Sequence, residues 1–294
     1  MRDTGHLRAS RARERALPPA VGCRSIALMR RCESFRFDGL RVPVEIWGGG
    51  GSAPLVFLPG MGAHPIYYGK GLQRLSEHYT VFVPDLSFRT HESLPARVVR
   101  YQALAERLGD LFAPEAPQAG HSFGGLIALM GSRPAIALSP TVPVPVGWAT
   151  KVGRAVMLQL REYLGLEGRY GVRWAWGIMK DYVRTAARRP SCLFPVVSET
   201  LHCLAHVFRP VAPRAHVILA DFDRLYRRQE YDAYLAVSAT DRIVVRRVRT
   251  GHDWPVTHPV LLEREILAAT GRSDGAEYAD GPRPERGPAA GGRF

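Results

Sequence analysis

The clearest chemical signal in the sequence is a serine among glycines, at residues 120–125 (GHSFGG). It fits the pattern G-x-S-x-G, in which a tight turn from strand to helix exposes the serine hydroxyl above a sheet. Glycine is expected two residues before and two after the serine, because side chains at those positions would crowd each other. The following helix directs its N-terminus at the same place, which favours a developing oxyanion. The motif therefore predicts Ser122 as a nucleophile.

A nucleophilic serine needs a base that takes its proton and an acid that orients the base. His252 is the candidate base, because it lies in a loop directly after a predicted strand. His258 is a weaker candidate, since it belongs to the approach to the last helix. Asp221 and Asp223 both follow another predicted strand, and either could be the acid. The one that is not the acid is expected to cap a helix beginning near Arg224.

Two backbone N–H groups are expected to bind the oxyanion. One belongs to Phe123, the residue after the nucleophile. The other is expected from the glycine-containing loop at residues 59–62, where Met61 is the favoured donor. Glycines in that loop would let its backbone approach a substrate oxygen.

The elements that must position these residues alternate between strands and helices. Strands are predicted at 34–37, 42–47, 55–58, 81–83, 135–138, 216–220 and 243–248, and helices at 68–78, 95–108, 124–131 and 260–269. Asp38-Gly39 is a hairpin turn signal between the first two strands. The segment 114–119 before the serine motif carries two prolines and is poor strand material. This alternation predicts a mostly parallel sheet covered on both faces.

Four loops of the chain, taken together, resemble those of the α/β-hydrolase superfamily over about residues 34–270. The similar segments are the oxyanion loop at 57–62 (FLPGMG), the nucleophile elbow at 120–125, the acid loop at 220–225 (ADFDRL) and the histidine loop at 251–259 (GHDWPVTHP). The family often has His-Gly in the first loop, and this chain has Pro59-Gly60, so only the amide position carries over. The resemblance favours Asp223 over Asp221 as the acid. It implies an α/β-hydrolase fold with an eight-stranded sheet, helices on both faces, an inserted helical cap, and hydrolysis without a cofactor.

The expected organisation is a hydrolase core with three further regions. The core comprises residues 34–142 and 214–270, the helical cap residues 143–213, a basic and disordered N-terminal extension residues 1–33, and a disordered tail residues 271–294. Met29 is a plausible alternative start, so residues 1–28 need not be translated. Three tryptophans of the predicted cap, Trp148, Trp174 and Trp176, are candidates for contact with an apolar part of the substrate.

Composition narrows the possible partners. The net charge of the 294 residues is +13, but only three of the 40 basic residues are lysines. This bias towards arginine is typical of a GC-rich genome, and we predict no nucleic-acid partner. The longest apolar stretch has 15 residues and three prolines, so no integral membrane segment is predicted. The four cysteines form no C-x-x-C pair, which excludes a zinc ribbon and predicts reduced thiols in the cytoplasm.

No metal is predicted. His202 and His206 lie four residues apart, a spacing that can bind a metal on a helix, but they lack the glutamate of H-E-x-x-H and a third ligand.

The expected function is a serine hydrolase that cleaves an ester or thioester with an apolar portion through an acyl-enzyme. The alternatives are a hydrolase of carbon–carbon bonds in diketones and a binding protein without turnover. The acyl chain length, the enantiopreference and the oligomeric state do not follow from the sequence.

Overall fold

The computed structural model describes residues 30–49, 52–60, 63–86, 94–112, 116–142, 154, 212–237 and 242–272. The strands are β1 Arg30–Phe37, β2 Leu40–Trp47, β3 Ala53–Leu58, β4 Tyr79–Pro84, β5 Gln118–His121, β6 Ala135–Leu138, β7 Ala215–Ala220 and β8 Ile243–Val248. The α-helices are α1 Gly69–Leu75, α2 Leu94–Phe112, α3 Phe123–Met130, α4 Arg228–Val237, α5 Trp254–Thr257 and α6 Pro259–Ala269. A short 3₁₀ helix, Pro65–Tyr68, precedes α1.

These strands form one eight-stranded sheet in the order β1-β2-β4-β3-β5-β6-β7-β8. The β1–β2 and β2–β4 pairs are antiparallel and the other five pairs are parallel, which confirms the predicted, mostly parallel sheet. The first hairpin turns at Asp38 and Gly39, whose φ angles of 49° and 76° are those of a tight two-residue turn.

Both faces of the central strands are buried, as the continuous apolar run in β3 predicts. Successive residues of β3 point to opposite faces: Val56 and Leu58 join one core cluster, and Leu55 and Phe57 join the other. Helices α2, α3 and α4 pack on the first face, and α1 and α6 pack on the second. This arrangement holds the central strands in place on two sides, so their ends are fixed points for loops.

Besides small shifts at the ends of other elements, three features of the fold differ from those predicted. Strand β1 begins at Arg30, so residues 30–33 belong to the sheet and not to the N-terminal extension. Strand β5 forms next to the prolines because it pairs with both β3 and β6, and Pro117 contributes its carbonyl, which accepts from the Val56 N–H. The helix after the acid loop begins at Arg228, four residues later than Arg224.

The carboxyl ends of the parallel strands meet at one edge of the sheet, where open α/β sheets carry their sites. The loops after β3, β5, β6, β7 and β8 all begin at this edge. Within the described ranges, no helix has the length and apolar character needed to cross a membrane. Of the predicted cap only Arg154 and residues 212–213 are described, and the rest of it lies outside the described residues, as do residues 1–29 and 273–294.

Candidate active site

Ser122 sits at the turn between β5 and α3 in a backbone conformation that non-glycine residues rarely adopt. Its φ is 51° and its ψ is −114°. The Ser122 N–H donates to the Leu138 carbonyl at 2.9 Å, and the Ser122 carbonyl accepts from the N–H of Thr141 at 2.9 Å and of Leu126 at 3.1 Å. Such strain persists only where the surroundings enforce it, and here three backbone hydrogen bonds do so.

The glycines around the serine are required by close backbone contacts. A Cβ on Gly120 would overlap the carbonyl of Gly124, and a Cβ on Gly124 would overlap the carbonyl oxygens of Leu58 and Pro59. The beginning of α3 therefore lies directly against the end of β3. This contact brings the serine next to the loop that follows β3.

The structure brings Ser122, His252 and Asp223 together from three separate loops. The Nε2 atom of His252 lies 3.0 Å from Ser122 Oγ, and its Nδ1 atom lies 2.7 Å from Asp223 Oδ2. The side chains of His252 and Asp223 are only 3% and 1% exposed. A histidine hydrogen-bonded to both a serine and a buried carboxylate can accept the serine proton and bear the resulting charge.

Asp223 accepts four hydrogen bonds. Besides His252, its Oδ2 accepts from the Tyr231 hydroxyl at 2.7 Å, and its Oδ1 accepts from the backbone N–H of Leu225 at 2.8 Å and of Tyr226 at 2.9 Å. Burial opposes ionisation of this carboxyl, but the charge of His252 and these hydrogen bonds outweigh it, so the pKa of Asp223 lies below its ordinary value. Asp223 is therefore a carboxylate over the physiological pH range.

Asp221 lies outside this cluster and is exposed. Its backbone N–H donates to the Val248 carbonyl, which ties the start of the acid loop to β8. The expectation that Asp221 caps a helix beginning near Arg224 was wrong, because the helix begins at Arg228 and Asp223 itself accepts the backbone N–H groups of Leu225 and Tyr226. His258 is also exposed, with its Nδ1 atom 2.7 Å from the Thr257 hydroxyl.

Thr141, in the loop after β6, is a site residue that the sequence did not indicate. Its side-chain oxygen lies 3.3 Å from Ser122 Oγ, and the residue is 4% exposed. It also hydrogen-bonds the hydroxyl of Tyr226, whose ring lies 6.0 Å from that of His252. A threonine in an apolar loop carries no distinctive motif, so its place beside Ser122 depends on the folded sheet.

Tyr68 and His121 are two further buried side chains at the site that sequence reasoning missed. The Tyr68 hydroxyl accepts from the Gly60 N–H at 2.9 Å and lies 2.8 Å from the Nδ1 atom of His121. The Nε2 atom of His121 lies 3.1 Å from the His252 carbonyl oxygen. His121 occupies the variable position before the serine in G-x-S-x-G, where the pattern itself assigns no role.

The structure describes only some of the residues that were predicted to bind the oxyanion or contact the substrate. Phe123 is the first residue of α3, and the first N–H groups of a helix have no partner within that helix. Gly60 lies close to Ser122, since a Cβ on it would be 3.5 Å from the Ser122 Cβ. Met61 lies outside the described residues, as do Trp148, Trp174 and Trp176.

Two clusters of the described residues bring metal-type ligands together: His121, His252 and Asp253, and separately Glu77, His78 and Glu263. Both ring nitrogens of His252 are engaged with Ser122 and Asp223. Glu263 accepts from His78 and Arg74. Ordinary hydrogen bonds and ion pairs thus account for both clusters. His202 and His206 lie outside the described residues.

The sequence profile of the alpha/beta hydrolase family matches residues 55–265, and the chain belongs to this family. No curated protein matches the chain in a sequence comparison. Among solved structures, a bacterial membrane phospholipase A is similar at 17% identity, with 82% of this chain and 86% of that chain covered and a TM-score of 0.55.

A thioesterase domain from the curacin biosynthetic pathway is similar at 14% identity, covering 81% of this chain and 99% of its own, with a TM-score of 0.54. An N-formylmaleamic acid deformylase from Pseudomonas putida S16 is similar at 17% identity, covering 82% of this chain and 100% of its own, with a TM-score of 0.56. At these identities the likeness is one of fold.

Proposed function

We propose that the protein is a serine hydrolase that cleaves an ester or thioester with an apolar portion, with Ser122 as nucleophile, His252 as base and Asp223 as the orienting acid. The observation that carries this proposal is the position of His252, 3.0 Å from Ser122 Oγ on one side and 2.7 Å from a buried, ionised carboxylate on the other. That arrangement supports acyl transfer because only an activated serine hydroxyl is a competent nucleophile.

The hydrogen bonds support one direction of proton transfer. Asp223 accepts the proton on Nδ1 of His252, so Nε2 carries the lone pair that faces Ser122. Ser122 donates its own proton to Nε2, and the Thr141 hydroxyl can then donate to Ser122 Oγ. As Oγ bonds to the substrate carbonyl carbon, its proton moves to Nε2 and then to the leaving group. Water then gives a proton to Nε2 as its oxygen bonds to the acyl carbon, and that proton returns to Ser122 Oγ when the bond between Oγ and the acyl carbon breaks.

The backbone N–H of Phe123 is proposed as one oxyanion donor, because α3 directs its N-terminal end at the site. The N–H of Met61 is proposed as the second donor, from the loop that continues beyond Gly60. Apart from water, these steps use only the side chains and amides named here, and we propose no cofactor. We also propose a cytoplasmic location, because the cysteines are predicted to be reduced thiols.

The family and the similar folds leave the scissile bond open, since they include a phospholipase, a thioesterase domain and a deformylase. An apolar acyl or alcohol group is proposed because the tryptophans predicted to contact substrate, Trp148, Trp174 and Trp176, are large apolar side chains. Hydrolysis of a carbon–carbon bond in a diketone would use the same serine and histidine, and it is therefore an outcome that the assay must include.

The test is a panel of p-nitrophenyl esters of graded acyl length, an acyl thioester and a diketone, assayed with wild type, Ser122→Ala and Ser132→Ala. Ser132 is an exposed serine whose hydroxyl donates to Glu106, and it serves as the control. We expect Ser122→Ala to lose turnover by several powers of ten, and Ser132→Ala to match wild type. Equal turnover in Ser122→Ala and wild type would refute the proposal. Preference for the diketone would instead indicate a carbon–carbon bond hydrolase.

A further inference from the structure

Tyr68 and His121 are buried side chains for which the chemistry proposed above has no use, and they lie between the loops that carry it. Tyr68 is the last residue of the 3₁₀ helix that follows the β3 loop, and it is 1% exposed. His121 is the last residue of β5, directly before the nucleophile, and it is 3% exposed. Burying two polar side chains is costly unless their hydrogen bonds are satisfied.

Their hydrogen bonds form one continuous chain. It begins at the Gly60 N–H, which donates to the Tyr68 hydroxyl oxygen at 2.9 Å. The Tyr68 oxygen lies 2.8 Å from His121 Nδ1, and His121 Nε2 lies 3.1 Å from the His252 carbonyl oxygen. The chain therefore joins the loop after β3, the end of β5 and the histidine loop.

The protons in this chain can be assigned from its two ends. Gly60 can only donate through its N–H, so the Tyr68 oxygen accepts there, and its own proton goes to His121 Nδ1. The His252 carbonyl can only accept, so the proton of the neutral imidazole sits on Nε2. The opposite tautomer would set the bare Nε2 atom against a carbonyl oxygen and, 3.7 Å away, the carboxylate of Asp253.

Burial supports this assignment. It lowers the pKa of His121 to about 3, with the nearby His252 acting in the same direction. Burial also raises the pKa of Tyr68 well above its ordinary value, so the phenol keeps its proton. Both groups are thus neutral and hold a fixed set of donors and acceptors at working pH.

The space around Gly60 shows how closely this chain approaches the nucleophile. A Cβ on Gly60 would lie 3.3 Å from both His121 Nδ1 and the Tyr68 oxygen, and 3.5 Å from the Ser122 Cβ. The rings of His121 and His252 lie 5.2 Å apart between centroids. A displacement of the Tyr68 or His121 ring would therefore move the backbone at Gly60 or at His252.

We propose that Tyr68 and His121 are positioning residues of the active site. Together they hold the β3 loop at Gly60 and the backbone of His252 in fixed positions relative to Ser122. This inference rests on the proposed serine-hydrolase function. Their loss should reduce kcat more than it changes KM. Misplaced oxyanion donors and a misplaced base stabilise the transition state less well, but they leave substrate binding unchanged.

The first test compares wild type, Tyr68→Phe, His121→Gln and the double variant with p-nitrophenyl butyrate. His121→Gln keeps an amide N–H that can reach the His252 carbonyl, but it offers Tyr68 no ring nitrogen. We expect each single variant to lower kcat by about 10- to 100-fold with KM changed less than about threefold. The kcat of the double variant should be only slightly lower than that of the less active single variant, because both changes break the same chain of hydrogen bonds.

The matched control is Tyr79→Phe, which removes the hydroxyl of another buried tyrosine, hydrogen-bonded to Thr270 directly after α6. It should lower the melting temperature without a comparable loss of kcat. A kcat loss in Tyr68→Phe no larger than in Tyr79→Phe would overturn the proposal. Losses that multiply in the double variant would also overturn it, since the two residues would then act independently.

A second readout does not depend on turnover. In ¹⁵N-labelled wild type, the His121 ring, identified by its absence from the His121→Gln spectrum, should be neutral with its proton on Nε2 at pH 6. A protonated ring or the Nδ1–H tautomer would overturn the chain of hydrogen bonds. Turnover that survives in Ser122→Ala would instead refute the proposed function, and the ring's tautomer would still decide whether the chain of hydrogen bonds exists.

Discussion

Replacing Asp223 by Asn tests the acid of the proposed site with a change of one atom. Four donors converge on this carboxylate: two backbone N–H groups on Oδ1, and His252 Nδ1–H with the Tyr231 hydroxyl on Oδ2. An Asn side chain has a single acceptor oxygen and a donating NH₂ group. If that oxygen keeps the two backbone N–H groups, the NH₂ group must face His252 and Tyr231.

His252 then has to accept at Nδ1 and carry its proton on Nε2. In that tautomer Nε2 can no longer take the proton of Ser122, so turnover should fall by about 10⁴-fold. One charge-assisted hydrogen bond of about 1.5–3 kcal/mol is lost, while the Tyr231 hydroxyl can rotate to accept from the amide. The melting temperature should therefore fall by about 4–8 °C, and the protein should remain folded.

Asp221→Asn is the matched control, because it removes the same charge two residues away on an exposed side chain. It should keep turnover within about twofold and stability within about 0.5 kcal/mol of wild type. Both variants are to be compared in one ester assay, with a thermal melt of each. Turnover of Asp223→Asn within tenfold of wild type, or a larger loss in Asp221→Asn, would refute the assignment of the acid.

Three further predictions follow from the same geometry. Gly124→Ala should destabilise the protein by about 3 kcal/mol, because its Cβ would overlap backbone oxygens of β3, whereas Gly69→Ala, whose nearest neighbour is 3.9 Å away, should be neutral in a thermal melt. Thr141→Val removes the hydroxyl beside Ser122 Oγ and should lower kcat about tenfold, the magnitude of one lost hydrogen bond, and Thr141→Ser should keep kcat near wild type; a Val variant as active as wild type would remove Thr141 from the site. The pKa of His121 is lowered to about 3, so the unfolded chain binds the extra proton as pH falls below its ordinary value. His121 should therefore contribute a loss of stability of about 1.4 kcal/mol per pH unit as the pH falls from about 6 to 4, and His121→Gln should show a flatter slope in denaturant melts; equal slopes would contradict the prediction.

The sequence predicts those parts of the site that depend on local backbone geometry. Ser122 could be found because the crowding around its turn is set by residues two positions away, and this crowding selects glycine at 120 and 124. His252 and Asp223 could be found because each follows a strand, and parallel strands end at a common edge. The assignment of Asp223 over Asp221 also needed the resemblance to the family.

The remaining features depend on contacts between distant parts of the chain. Strand β5 has only four residues and little apolar character, and it forms because β3 and β6 pair with it on either side. Tyr68, His121 and Thr141 contact the site through loops that only the sheet order brings together. The Met61 amide and the three tryptophans stay predictions.

The central claim is that Ser122 is an activated nucleophile, and covalent labelling tests it most directly. Wild type and the Asp223→Asn variant are to be incubated with a fluorophosphonate, digested, and analysed by mass spectrometry for the peptide that carries the label. We predict a single label on Ser122 in wild type and labelling slowed by several powers of ten in Asp223→Asn, because the probe reacts only with a serine whose proton His252 can accept. Wild type that remains unlabelled, or a label on another serine, would contradict the account.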